Sequence, residues 1–247
     1  LVLATKKGTV KKTRFAEYNT PLKADGIIAI KLRDDDELVA VLHSSGEDDI
    51  LMVSRKGQAI RFHEKEARPM GRATEGVRGM RLRSGDEVIA ATIARNDADL
   101  LVVTENGFGK RTRIDQYPTK GRGGLGVKTV QLTEARGQLA GSLVVLEGDQ
   151  VMLISTGGTV IRVPSVGIKR SGRSTQGVIV MRLREGEQVS TLTGVVEQEN
   201  GDIPEIGEGD VSVVVDAEGG ESAAEELVED EPAEDDEPVD DETEPAA

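Results

Sequence analysis

Leu100-Leu101-Val102-Val103-Thr104-Glu105-Asn106-Gly107 is an apolar run of strand length that ends in a glycine turn, and the chain carries this pattern four times. Short runs rich in β-branched residues favour strands, and glycine supplies the positive φ that a tight hairpin turn needs. The other apolar runs are 1–4, 50–53 and 151–154, and the turn glycines Gly8, Gly57, Gly107 and Gly158 follow one another at 49, 50 and 51 residues.

A second glycine series trails the first by 18 or 19 residues and opens another apolar-rich run in each period. With a further run such as 38–42 or 88–93, each period predicts four strands and therefore one four-stranded sheet. Sheets repeated at about 50 residues are typical of propeller blades, so we predict an all-β, propeller-like fold. The second glycines are Gly26, Gly76, Gly126 and Gly177, and the predicted blades are 1–49, 50–99, 100–150 and 151–200.

Charge divides the chain into a basic body and an acidic tail. The net charge is −14, but all 31 Lys and Arg residues lie in 1–200, whereas 201–247 holds 20 acids and no base. The tail also has few large apolar side chains, so it cannot bury enough surface to offset the entropy of ordering. We therefore predict that 201–247 is a disordered tail.

Composition excludes several classes of protein. There is no cysteine and there are only two histidines, which predicts neither a disulfide framework nor a metal site and fits a reducing, cytoplasmic setting. No apolar run approaches the length of about 20 residues that a membrane helix needs, so no membrane partner is expected. No titratable groups stand at the spacing of a catalytic set, and we predict no catalytic residue. Since the chain starts inside a strand-like run, we expect a fragment of a longer protein.

Basic residues recur at equivalent places in the four periods. One base stands four residues after each turn glycine, and a basic loop lies between the two glycines of each period. In a radial repeat such positions would form a curved track around the rim, which suits the phosphates of duplex DNA. The predicted DNA-binding residues are Lys12, Lys23, Arg61, Arg68, Arg72, Lys110, Arg111, Lys120, Arg122, Arg162, Lys169, Arg170 and Arg173.

Each of these bases, taken alone, is better interpreted as a solvated surface side chain, and only the recurrence favours DNA. Binding of single strands is disfavoured, because stacking needs aromatic platforms and the chain has only three Phe and two Tyr. A protein-interaction propeller is the main alternative, although its aromatic signatures are missing in a chain without tryptophan. The tail has two interpretations: it competes with DNA for the basic rim, or it only aids solubility.

Four sets of residues in the repeats are distinctive. They are Gly8-Thr9-Val10-Lys11-Lys12-Thr13, Arg68-Pro69-Met70-Gly71-Arg72 with Thr74-Glu75-Gly76-Val77-Arg78-Gly79, Gly107-Phe108-Gly109-Lys110-Arg111-Thr112 with Tyr117-Pro118, and Gly172-Arg173-Ser174-Thr175-Gln176-Gly177-Val178. These stretches resemble the C-terminal repeats of bacterial DNA gyrase A, and the resemblance covers nearly all of 1–195. It implies a β-pinwheel, a propeller-like ring whose blades exchange strands and around which DNA is wrapped. The four repeats resemble the last four of the six usual in that family.

The resemblance also implies a larger enzyme, an ATP-dependent type IIA topoisomerase that introduces negative supercoils. ATP and Mg²⁺ would then bind to gyrase B, the partner in an A2B2 heterotetramer, and this chain would need no cofactor. The DNA-cleaving tyrosine would lie in an upstream domain. The gyrase box, Gln-Arg-Arg-Gly-Gly-Lys-Gly in type, has only a degenerate match at 120–126, where Leu125 replaces a base. The equivalent domain of topoisomerase IV therefore stays open as an alternative, although four regular repeats favour gyrase.

Overall fold

A computed structural model describes residues 1–21 and 24–195. These residues form four antiparallel sheets, which confirms the predicted all-β, four-bladed, propeller-like fold. The predicted disorder of 201–247 lies outside the described residues. The four blades are built on β1 (Val2–Thr5), β2 (Thr9–Lys12) and β3 (Leu38–Leu42); on β4 (Asp49–Ser54), β5 (Gln58–His63) and β7 (Val88–Ile93); on β8 (Asp99–Thr104), β9 (Phe108–Arg113) and β11 (Leu139–Val145); and on β12 (Gln150–Ser155), β13 (Val160–Pro164) and β15 (Val189–Val195).

Short elements connect these strands. Three strands of two residues follow the second glycines, and a 3-10 helix follows the second strand of each blade. A further 3-10 helix lies in the third repeat. The short strands are β6 (Val77–Arg78), β10 (Val127–Lys128) and β14 (Val178–Ile179), and the 3-10 helices are Phe15–Tyr18, Glu64–Glu66, Ile114–Gln116, Glu134–Arg136 and Ser165–Gly167.

The two-residue strands do not join the blade of their own repeat. β6 pairs with β2 of the preceding blade, and β10 and β14 pair in the same way with β5 and β9. The prediction that each period is one self-contained sheet is therefore wrong, whereas the strand exchange implied by the family resemblance is confirmed. The fourth blade has only the order β13-β12-β15 among the described residues.

Apolar cores lie between consecutive blades rather than inside them. Strand β4 is buried on both faces, so Ile50 and Met52 pack against the first blade while Leu51 and Val53 pack against the third. A third core joins the third and fourth blades. Because side chains alternate along a strand, one apolar run supplies two interfaces.

The order of strands defines an inner and an outer side for each blade. Strands β3, β7, β11 and β15 pack against one another in sequence, so they lie innermost. The exchanged strands β6, β10 and β14 are at the opposite edge of their sheets. We call these three strands, with the seven residues that follow each second glycine, the outer edge. No helix in the described part of the chain is long and apolar enough to cross a membrane.

Candidate nucleic-acid interface

The bases four residues after the turn glycine occupy interblade contacts. Arg111 is 6% exposed; its Nε donates to the carbonyl of Ile168 at 2.9 Å and its Nη1 to Asp99 Oδ2 at 2.8 Å. Arg61, 9% exposed, repeats this arrangement one blade earlier, with Nε 2.7 Å from Asp49 Oδ2. Each guanidinium thus ties its own blade to the next segment of chain. The prediction that these two bases lie on an outward-facing belt is wrong.

Lys12 and Lys110 are also structural. Lys12 Nζ lies 3.3 Å from Glu64 Oε2, and the exposed fractions of the two side chains are 13% and 1%. Lys110 is fully buried and donates to the carbonyls of Gly172 and Arg173 at 2.6 and 2.7 Å. Burial, with the Arg173 charge nearby, lowers the pKa of Lys110 to about 8. The counterpart of Lys12, Arg61 and Arg111 in the fourth blade is Arg162, and only there is this base exposed.

The predicted basic loops of the second, third and fourth repeats lie along the second strand of the preceding blade. Backbone bridges show this, because they join Lys12 to Pro69, Arg61 to Thr119 and Arg111 to Arg170. Their bases divide into two groups by exposure. Arg72, Arg122 and Arg173 are half-buried, and Lys23 lies outside the described residues. The exposed members are Arg68, Lys120, Lys169 and Arg170.

Two of these loop bases hold neighbouring segments together. Arg122 donates from Nε to the carbonyl of Glu66 at 2.8 Å and from Nη1 to that of Arg78 at 2.9 Å. Arg170 donates from Nε to Asp99 Oδ2 at 2.8 Å, although nearly half of its side chain is exposed. The four exposed loop positions thus remain candidates for phosphate contacts, and contact with DNA stays a prediction for each of these four.

A second set of bases on the outer edge was missed by sequence reasoning. They stand two, five or seven residues after the second glycine, and all are exposed. Counting from the second glycines instead of the first would have found them, since the fifth and seventh positions are basic in three of four repeats. The bases are Lys31, Arg33, Arg78, Arg81, Arg83, Lys128, Arg182 and Arg184.

Four cations from three consecutive repeats converge on one groove of about 540 Å³. Lys7, Arg33, Arg78 and Arg122 line it, together with the backbone of Gly8, Thr9 and Gly123. No acidic residue is among these described lining residues. Lys7 pairs with Asp35 and Arg33 with Glu75 at the surface, and the latter contact is 3.4 Å long. Exposed pairs of this kind are weak, so a phosphate can displace them.

Two further features of the described residues concern metal binding and tyrosine chemistry. No group of three or more His, Asp or Glu side chains could hold a metal ion in 1–21 and 24–195. Tyr117 is 1% exposed and its hydroxyl contacts Thr129, so it serves packing. Burial raises the pKa of this phenol.

Comparisons with known proteins agree with the fold. The model of the DNA gyrase C-terminal domain family, a β-propeller, matches residues 1–45, 48–95, 98–145 and 149–193. The DNA gyrase A protein of Mycobacterium bovis (strain BCG / Pasteur 1173P2) is 42% identical over 204 residues, which are 82% of this chain and 24% of that protein. The chain thus spans about a quarter of the length of such relatives.

Two solved structures have the same fold at 25% identity. A DNA gyrase A C-terminal domain superposes with a TM-score of 0.70 and covers 79% of this chain and 65% of its own. The C-terminal domain of a DNA topoisomerase IV gives 0.74, with 78% and 61% covered. The fold is therefore shared by both kinds of domain.

Proposed function

Because the chain belongs to the DNA gyrase C-terminal domain family of β-propellers, we propose that it binds duplex DNA along its outer edge and wraps it as part of DNA gyrase. The observation that carries the proposal is the row of exposed bases on the outer edge, with the four-cation groove between three consecutive repeats. Phosphates repeat at short, regular intervals along duplex DNA, so a surface with repeated cations can contact many of them at once.

Binding of this kind releases counterions and reads no base sequence, so it is strongly weakened by salt. Bending a duplex tightly costs several kcal/mol, because the persistence length of DNA is about 150 bp. Contacts distributed around an outer edge offset that cost only if the DNA follows the edge. Wrapping is therefore the binding mode that this distribution of charge favours.

The remaining parts of the reaction belong to other chains or segments. We propose that ATP and Mg²⁺ act through gyrase B in an A2B2 heterotetramer, in the cytoplasm, and that DNA cleavage uses a tyrosine outside this chain. The part proposed for this chain is to hold a wrapped segment, so that strand passage by the full enzyme introduces negative supercoils. Bending of DNA by a bound protein needs no cofactor of its own.

Topoisomerase IV is the second candidate, since the domain from that enzyme superposes with a TM-score of 0.74. The family model and the 42% identity to DNA gyrase A favour gyrase. The distinguishing measurement is the supercoiling of relaxed plasmid by the full-length protein with its gyrase B partner and ATP. Negative supercoiling supports gyrase, whereas relaxation without supercoiling supports topoisomerase IV.

A salt series tests DNA binding by the chain itself. We expect the affinity for an arbitrary duplex to fall steeply between roughly 50 and 200 mM salt, with a log–log slope that reflects several phosphate contacts. Duplexes of different sequence but equal length should bind alike. A flat response to salt would contradict the proposal and favour a propeller that binds other proteins.

A further inference from the structure

Each exchanged strand on the outer edge places one exposed residue opposite a residue of the blade that receives it. In the first two blades both members of this pair are polar, and the pairs are Arg78 with Thr9 and Lys128 with Gln58. In the third blade the pair is Ile179 with Phe108. Directly opposed residues of two paired strands lie on the same face of the sheet. An apolar pair therefore interrupts the row of exposed bases at one of three equivalent places.

Ile179 is the exposed member of this pair. It is 58% exposed, whereas Phe108 beside it is partly buried. A groove of about 520 Å³ opens next to the two side chains, and Met181 and Leu183 form part of its wall. Scattered apolar residues are normal on protein surfaces and need no explanation. Ile179 differs because it projects next to an aromatic ring and an apolar groove, at a position where the equivalent residues are cations.

Arg136 holds the ring of Phe108 from the other repeat element nearby. Its guanidinium carbon lies 4.6 Å from the centroid of the ring, in the geometry of a cation–π contact. Arg136 ends the 3-10 helix Glu134–Arg136, which has no counterpart at this place in the described parts of the other repeats. The third repeat thus supplies both an aromatic ring and an additional cation that fixes it, so Ile179 has a rigid support.

The surroundings of the apolar pair are cationic. Arg182 and Arg184 follow Ile179 along the outer edge, and both are exposed. Glu187 is the one acid among the described residues that line the groove, and its carboxylate accepts a hydrogen bond from Arg184 N at 3.3 Å. An apolar projection between cations matches duplex DNA, because the cations hold the phosphates while an apolar side chain enters the minor groove between base pairs.

We propose that Ile179, supported by Phe108, is a wedge that enters the minor groove of the bound duplex and kinks it at the third blade. This inference rests on the proposed function and adds a bending site to it. DNA resists smooth bending over lengths below its persistence length of about 150 bp, whereas a side chain inserted at one base step concentrates the bend there. The bend would then be sharp at Ile179 and smoother at Arg78 and Lys128.

Two substitutions at equivalent positions separate bending from charge. Ile179→Ala removes the wedge and Lys128→Ala removes a cation, and both are made in the full chain. Energy transfer between dyes at the two ends of a duplex, measured at saturating protein, reports the bend. We expect Ile179→Ala to lower the transfer and to keep the wild-type salt slope. Lys128→Ala should make the slope shallower by about 1 and retain most of the transfer. Wild-type transfer in Ile179→Ala would overturn the proposal.

Unstacking of bases is a readout that a smooth bend does not change. Permanganate oxidises unstacked thymines faster than stacked ones, and an alternating A·T duplex offers flexible steps throughout. We expect the wild-type chain to increase thymine oxidation and Ile179→Ala to lose most of the increase. Val41→Ala is the control, because Val41 is 52% exposed on the innermost strand β3, away from the outer edge. No increase with the wild-type chain, or an equal loss in the control, would overturn the wedge.

Two further variants at position 179 test the chemistry of the side chain. Ile179→Met keeps an apolar side chain and should retain bending and unstacking, whereas Ile179→Arg restores the cation of the other blades. The arginine variant should lose the unstacking and steepen the salt slope by about 1. Unchanged bending and unstacking in Ile179→Arg would overturn the wedge and favour a surface for another protein. A flat salt response of the wild-type chain contradicts the proposed function itself, whereas a steep response without unstacking contradicts the wedge alone.

Discussion

The guanidinium of Arg111 lies 2.8 Å from the carboxylate of Asp99, and the two side chains are 7% and 3% exposed. Asp99 also accepts a hydrogen bond from Arg170 of the next repeat at 2.8 Å. In the first three repeats, the base four residues after the turn glycine thus joins its own blade to the next one, and its recurrence there reflects the architecture of the fold. For the proposed DNA binding, we therefore expect affinity and blade stability to depend on different arginines, which substitutions can separate.

Arg111→Met is expected to lower the free energy of unfolding by about 3 kcal/mol, because it leaves Asp99 with a single cationic partner in a buried site. Arg113→Met removes the same charge two residues away, where the side chain is 56% exposed and pairs with Asp115. We expect that control to change stability by less than about 1 kcal/mol. Urea unfolding measures both, and equal losses would contradict a clamping role for Arg111.

The double variant Arg182→Ala/Arg184→Ala tests the outer edge. Both side chains are exposed, so we expect little change in stability. If each contacts one phosphate, the log–log salt slope for duplex DNA should become shallower by about 2. Arg111→Met, measured where it is fully folded, serves as the buried control and should keep the wild-type slope. A wild-type slope in the double variant would remove these two positions from the interface.

Glu64, the ion-pair partner of Lys12, provides a pH-dependent test of the structural role of that pair. Burial raises the pKa of this carboxyl group, but hydrogen bonds from Asp48, Ser44, Gly46 and Lys12 outweigh that effect and lower the pKa below its usual 4.5. Between the lowered pKa and 4.5 the unfolded chain binds more protons, so the contribution of Glu64 to stability is present above pH 4.5 and is lost on acidification.

Glu64→Gln should therefore be less stable than the wild type at pH 7, by about 1–3 kcal/mol for lost charge-assisted hydrogen bonds. The difference should shrink as the pH falls below 4.5. Urea titrations at pH 7, 5, 4 and 3 measure it. A difference that stays constant with pH would mean that the charge of Glu64 does not stabilise this site.

Glycine spacing was enough to predict the blades, because a 50-residue period with a hairpin turn in each copy leaves few other architectures. It did not predict strand exchange, since a segment such as 77–82 has the same local preference in either blade and only packing decides between them. The prediction that the recurring bases are exposed failed for a related reason. Arg61 and Arg111 follow the alternation of buried strands that face two blades at once, and the partners Asp49 and Asp99 are 12 residues away in sequence.

Strand exchange itself can be tested by comparing two equivalent glycines. Gly126 and Gly26 have φ values of +74° and +71°, so alanine at either costs about 1–2 kcal/mol in backbone strain. At Gly126 the added Cβ would also collide with the Ala59 backbone of the preceding blade, whereas at Gly26 it meets no atom within 4 Å. We therefore expect Gly126→Ala to be clearly less stable than Gly26→Ala in thermal and urea unfolding. Because strain is nearly equal in the two variants, the difference measures the approach of the inserted strand, and equal stabilities would contradict a close approach at that interface.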